Sequence, residues 1–322
     1  MVSFNQTKVK NGDINLNVLV DGPSESAFLP ILCVHGWPEL ALSWRHQLTH
    51  FAKAGYRIAA LDVRGYGDSS RPAEIADYTM AELTSDVAAV VDALGGKAIL
   101  FGHDWGAPIV WQTSIRYPAK VAAVAGLSVP YMPMTNVSFL DVMRQVHTES
   151  WFYQLYFQEP GVAEAEFEGD PDALAKIFWG ISGEGLLAQP IMAKVKGDRF
   201  LTGMARPVQL PDWLPAEDLA VYEAVFKRNG WRGPLNRYRA QDLDHAERGP
   251  VADKRITQPA TFIGGALDPV RQFLPGTDIF AGAGMSCDDF RGATIIDGVG
   301  HWVQQEAPDA TNAALMNFVV GL

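Results

Sequence analysis

FGHDWG, residues Phe101–Gly106, stands between a short apolar run, Ala98–Phe101, and an amphipathic stretch reaching about Tyr117. A small-x-nucleophile-x-small pattern at a strand-to-helix junction marks a nucleophile elbow, a turn so crowded that glycines must flank the central residue. Here that residue is Asp104. A serine at this point needs a base to become nucleophilic, whereas a carboxylate with a pKa near about 3.9 is already ionised at neutral pH. Such a nucleophile suits displacement at a saturated carbon. The product would be an alkyl ester of the protein, which water must then cleave.

On either side of the elbow the chain alternates between two hydrophobic periods. Leu29–Val34, Arg57–Leu61, Ala98–Phe101 and Val121–Val129 are short, nearly continuous apolar runs that fit strands covered on both faces, and strand and helix resume at Thr261–Gly264, Thr294–Ile296 and Pro308–Val320 nearer the C-terminus. Ile14, Leu16, Val18 and Val20 alternate, which predicts a half-exposed strand at the sheet edge. Met80, Leu83, Val87, Val91 and Leu94 recur at three- and four-residue steps, placing one apolar face on a helix. Strands alternating with such helices imply an α/β fold, a mostly parallel sheet flanked by helices. The alternation stops between about Tyr131 and His245, a stretch rich in aromatics, Gly and Pro with helical pieces such as Ala216–Asn229. The expected organisation is therefore a core of residues 1–130 and 246–322 with an inserted helical cap, residues 131–245.

Composition narrows the function. Against 26 Lys and Arg stand 37 Asp and Glu, a formal charge of −11 that would repel phosphates and anionic lipid headgroups, so neither nucleic acid nor membrane is an expected partner. No run approaches the roughly 18 apolar residues of a membrane span, and the N-terminal stretch lacks a basic flank leading into an apolar run. Two cysteines, Cys33 and Cys287, are too few for a disulfide framework. A cytoplasmic location is expected.

The elbow, HGWPELALSWR (His35–Arg45), DVRGYGDSS (Asp62–Ser70), YQLYFQEPGVAEAE (Tyr153–Glu166), GWRGPLNRYR (Gly230–Arg239) and GHW (Gly300–Trp302) together resemble the soluble epoxide hydrolases of the α/β-hydrolase fold. The match spans nearly the whole chain, and the two cap motifs make it more specific than the core motifs. It implies conversion of a small hydrophobic epoxide and water to a vicinal diol, an ether hydrolysis that needs no metal and no organic cofactor. Asp104 would be the nucleophile and His301 the base. Asp268, in FIGGALDPV, would orient the base, following the chain order nucleophile, acid, histidine; GLSVPYMPM offers no carboxylate at the alternative position. The backbone N–H groups of Trp37 and Trp105 would form the oxyanion hole, and the Trp37–Pro38 peptide would be cis. The family supplies two cap phenols to protonate the leaving oxygen, which fall on Tyr153 and Tyr238 here, with Tyr156 the nearest mistaken choice. Trp151, Phe152, Phe157, Trp179 and Trp213 are candidates for an apolar pocket wall.

Other residues read as structural. His35 and His103 adjoin catalytic turns, Asp62 and Arg64 belong to a turn-forming cluster, and Asp297 competes with Asp268 for His301 only from a position four residues upstream. A haloalkane dehalogenase would share the Asp nucleophile, the base pair and Trp105, but needs no phenol pair. A fluoroacetate dehalogenase would carry Arg where Trp105 stands. A non-catalytic ligand-binding relative would not need to keep the nucleophile, acid, base and both tyrosines.

Overall fold

Four-residue strands with no polar side chain can only be interior strands, and they build the centre of one sheet. A computed structural model of the chain describes residues 4–188, 194–274 and 276–322. Its strands are β1 (Asn5–Asn11), β2 (Ile14–Asp21), β3 (Ile31–Val34), β4 (Ile58–Leu61), β5 (Ala98–His103), β6 (Val121–Leu127), β7 (Ile256–Gly265) and β8 (Cys287–Ile296). They lie in the order β1-β2-β4-β3-β5-β6-β7-β8. β1 pairs antiparallel with β2 and β2 with β4, while every other pairing is parallel.

The alternation of side chains along a strand sends Leu32 and Val34 of β3 to one face of the sheet and Ile31 and Cys33 to the other. The first face is covered by α2 (Met80–Ala93) and α3 (Gly106–Arg116), through residues such as Leu83, Val87 and Ile109. The second is covered by α1 (Arg45–Lys53) and by a C-terminal helix, Pro308–Val320, through Leu48, Phe51, Leu315 and Phe318.

One expectation is corrected. The strand at Ile14–Val20 is not the sheet edge, because β1 pairs along its outer side in register Asn5↔Val20. β1 reads NQTKVKN and is largely exposed, so backbone hydrogen bonds hold it and no apolar period betrays it. The first halves of β7 and β8 are also hidden, β7 by its Thr257, Gln258 and Pro259 and β8 by a polar, partly exposed CDDFRG stretch.

Between β6 and β7 the chain is helical: α4 (Phe139–Val146), α5 (Tyr153–Tyr156), α6 (Val162–Gly169), α7 (Ala173–Gly180), α8 (Gly183–Ala188), α9 (Ala216–Asn229), α10 (Arg232–Arg239) and α11 (Gln241–Ala246). Buried polar contacts fix this segment to the sheet's carboxyl end. Arg45 pairs with Asp218 at 2.7 Å and donates to the Trp213 carbonyl at 2.8 Å, and Asp244 accepts the Met80 amide at 2.6 Å. After β8 come α12 (Val303–Glu306) and α13 (Pro308–Val320). No described helix is long and apolar enough to cross a membrane.

The N-terminus of α3 presses on β3 so closely that a methyl group on Gly106 would overlap the carbonyl oxygen of Val34. Backbone cannot step aside as a side chain can. Gly106→Ala is expected to lower stability by about 1–3 kcal/mol or more, read as a reduced denaturation midpoint with an unchanged slope. Parental stability would refute the close approach.

Candidate active site

The elbow places Asp104 in the left-handed region, φ 49°, a conformation a non-glycine residue adopts only where its surroundings hold it. Gly102 permits it, since a side chain there would collide with the Gly106 carbonyl. The carboxylate is 8% exposed. Its Oδ1 accepts the Trp37 amide at 2.7 Å, and its Oδ2 lies 3.3 Å from His301 Nε2. A methyl group on Gly36 would overlap Asp104 Oδ1 and sit 2.6 Å from the Trp105 nitrogen, so both expected oxyanion donors border the same small space. The Trp37–Pro38 peptide is cis. Burial pushes the Asp104 carboxyl up, but His301, His103 and the Trp37 amide together hold it below its ordinary range.

His301 joins the nucleophile to Asp268. Its Nδ1 stands 3.0 Å from Asp268 Oδ2, while Asp268 Oδ1 accepts the Val270 amide at 2.9 Å. Burial pushes the imidazole down, yet the carboxylates of Asp268 and Asp104 raise it well above its ordinary value. Asp297 is exposed and takes no part. Glu306 fixes the loop carrying His301, accepting the amides of Gly300, Trp302 and Gly183 of α8 at 2.8–3.0 Å.

Beneath this triad lies a second buried pair, whose carboxylate the sequence reading did not single out. His103 Nε2 is 2.7 Å from the His301 carbonyl, and His103 Nδ1 is 2.7 Å from Glu39 Oε2. A carbonyl only accepts, so Nε2 carries a proton and a further proton is held between Nδ1 and Glu39. Gln304 and Gln305 donate to the other Glu39 oxygen at 2.9 and 2.8 Å, and Ser128 donates to the His301 carbonyl at 2.8 Å. Glu39 sits in the quoted HGWPE stretch, where the only signal was its place in a turn motif. His35, by contrast, accepts the Val63 amide and faces the Gly36 carbonyl, a turn-holding role. Asp62 likewise accepts the amides of Ala41 and Asp68, and Arg64 pairs with Asp86.

Tyr153, which opens α5, and Tyr238 of α10 meet above Asp104, with ring centroids 5.8 Å apart. Burial and the Asp104 charge push both phenols up, and for Tyr238 the neighbouring Tyr153 adds to the rise. The Trp105 ring stands edge-on to Tyr238, 5.3 Å between centroids. Tyr156 turns away and donates to Glu166 at 2.7 Å. Gln154, also unforeseen, donates to the Tyr153 hydroxyl oxygen at 2.9 Å.

Two cavities of about 410 and 250 Å³ meet here, both bordered by Asp104, Tyr153, Val270 and Phe273. His301, Tyr238, Trp37, Trp151 and Phe152 also border the smaller one. Phe157 lies behind the wall, its ring 4.9 Å from Tyr238 and 5.3 Å from Trp37. Trp179 and Trp213 are corrections, for neither borders these cavities. Phe178 turns inward onto Trp302, 4.9 Å between centroids, which aims the next residue of α7 about 100° away. Trp213 lies in the loop before α9, where its carbonyl serves Arg45.

Residues 30–168 match the model of the α/β hydrolase fold family. The chain is 41% identical to epoxide hydrolase A of Mycobacterium tuberculosis over 91% of its length and 90% of that protein's. It is 33% identical to epoxide hydrolase 2 of Siraitia grosvenorii over 99% of each. The crystal structure of epoxide hydrolase A from Mycobacterium thermoresistibile superposes with a TM-score of 0.90 at 40% identity, covering 99% of both chains. An epoxide hydrolase from an endophytic Streptomyces gives 0.87 at 38% identity, over 99% and 95% of the two chains.

Glu39→Gln leaves the proton beneath the triad without its carboxylate. Removing one partner of a buried charged pair is expected to cost about 3–5 kcal/mol in chemical denaturation. A change below about 1 kcal/mol would show that the pair carries no charge.

Proposed function

The chain belongs to the epoxide hydrolases of the α/β-hydrolase fold, and from that premise we propose that it opens a small hydrophobic epoxide through a covalent ester on Asp104. Oδ1 stays with the Trp37 amide while Oδ2 attacks the ring carbon from behind. The ring C–O bond breaks, and a phenol proton from the Tyr153–Tyr238 pair passes to the leaving oxygen. His301, oriented by Asp268, then takes a proton from a water molecule that attacks the Asp104 carboxyl carbon. The Trp37 and Trp105 amides receive the charge that develops on Oδ1. Collapse of this intermediate releases the diol, to which His301 returns the proton.

One observation carries the reading: the ionised nucleophile and the phenol Tyr153 border the same two cavities. We place the core at residues 1–130 and 246–322 and the cap at 131–245. The helical run between β6 and β7 and its polar seam support that division, although α11 runs one residue past the boundary. Two free, buried cysteines favour a cytoplasmic enzyme.

Single turnover in ¹⁸O-labelled water should place label in the Asp104 carboxylate, and diol formation with unlabelled Asp104 would defeat the covalent route. With His301→Gln, the protein should gain the mass of the epoxide and release little diol. Replacing both Tyr153 and Tyr238 by Phe should slow ester formation roughly 10²–10⁴-fold.

The pH dependence has a definite sign. In the free protein His301 faces two carboxylates and is held well above its ordinary value. Ester formation removes the Asp104 charge, so the imidazole's pKa falls and a base is released. As pH drops, His301 in the ester is protonated first, while Asp104, held below its ordinary range, still attacks. Rapid quench with intact-mass measurement is expected to show the ester accumulating at acidic pH. Loss of ester formation before loss of hydrolysis would contradict the assignment.

A further inference from the structure

Two phenols reach the leaving oxygen in the mechanism above, and the hydrogen bonds behind them are unequal. The Tyr238 backbone carbonyl accepts from Gln241 Nε2 at 3.0 Å and from Gln158 Nε2 at 3.2 Å. A carbonyl cannot donate, so this contact fixes the amide nitrogen of Gln241, not its oxygen, on that side. The same nitrogen donates to Gln154 Oε1 at 3.0 Å. With its oxygen thus occupied, Gln154 must present its nitrogen to Tyr153, where it donates to the hydroxyl at 2.9 Å. Gln154 is only 6% exposed.

We propose that Gln154, locked by Gln241, is a positioning residue that makes Tyr153 the proton donor of the pair. This deepens the epoxide-hydrolase reading and rests on it. A donor into the Tyr153 oxygen occupies a lone pair and leaves the O–H free to point into the cavity. It also stabilises the phenolate that forms as the O–H bond breaks and the proton joins the departing alkoxide. The balance closes in the second step: hydrolysis of the ester leaves a proton on the Asp104 carboxyl group, and this proton returns to the Tyr153 phenolate. Tyr238 acts as a hydrogen-bond donor to the same leaving oxygen.

The test separates the two half-reactions in the full-length enzyme, with styrene oxide as probe. Gln154→Met keeps the length and removes the donor, and ester formation is expected to slow roughly 10- to 100-fold while ester hydrolysis stays within about twofold. Gln241→Met, which leaves Tyr153 and Gln154 in place but frees the amide to turn over, should produce a smaller loss in the same step. Gln154→Glu has a signature that a merely structural role would not give. An ionised carboxyl there accepts the Tyr153 proton and draws it out of the cavity, whereas a protonated one donates, so ester formation should recover as pH falls. Parental ester formation in Gln154→Met, or a parental pH profile in Gln154→Glu, overturns the relay. If Tyr153→Phe slows ester formation and these variants do not, only this inference fails; if Tyr153→Phe alkylates at the parental rate, the underlying role of Tyr153 fails with it.

Discussion

A carboxylate kept ionised away from water is the condition on which the rest of this molecule depends. An isolated charge of this kind costs several kcal/mol to bury and would ordinarily be protonated instead. Asp104 stays ionised because an amide, an imidazole and the His103 charge surround it. Each of these comes from a different strand end: Trp37 follows β3, His103 ends β5, and His301 follows β8. The parallel register that aligns Val34 with Gly102 and His103 with Leu127 brings those ends together. The left-handed turn then lifts the carboxylate off the sheet toward the cap.

The two histidines near Asp104 differ because their partners differ. His103 is closed on both sides, by a carboxylate and by a carbonyl, so its protons have nowhere to go within the site. It provides a fixed floor beneath His301. His301 lies between two carboxylates, one of which the proposed reaction neutralises. An imidazole in that position changes its proton affinity with the covalent state of its neighbour, whereas His103 keeps Glu39 throughout. Proximity to Asp104 is thus a poor guide to which histidine we propose as base, and the identity of each partner is the better one.

Much of this was legible in the sequence, for identifiable reasons. The elbow is a local motif, because a left-handed residue between two glycines is a demand one hexapeptide must satisfy. The short interior strands and the face of α2 follow from hydrophobic period. β1 was not legible, since its side chains lie in solvent and only its backbone is used. Glu39 and Gln154 escaped because their partners lie 64 residues away, in the case of His103, and 87 residues away, in the case of Gln241. Amide chains of this kind carry no spacing rule. The pocket wall was half legible: richness in aromatics marks the region, but which ring faces the cavity depends on helix phase, and in α7 neither Phe178, which packs on Trp302, nor Trp179 borders it.

The phenols differ from the triad in what holds them. Asp104, His301 and Asp268 are set by one sheet, whose register fixes their spacing. Tyr153 and Tyr238 belong to helices that touch the sheet only across a seam, so their distance from the nucleophile depends on the contacts made there. Those contacts are buried and polar: Arg45 with Asp218, Asp244 with the Met80 amide, and Arg237 with both Asp244 and the Tyr78 carbonyl. Apolar packing tolerates small slides, because its energy changes little with the pairing of particular atoms. Charge-assisted hydrogen bonds do not, since a shift of about 1 Å breaks them and leaves a buried charge unpaired. A seam built this way adds little net stability over an apolar one of the same area. Its value lies in registering the helices that carry the phenols to the sheet, to the tolerance that proton transfer requires, which is a hydrogen-bond length.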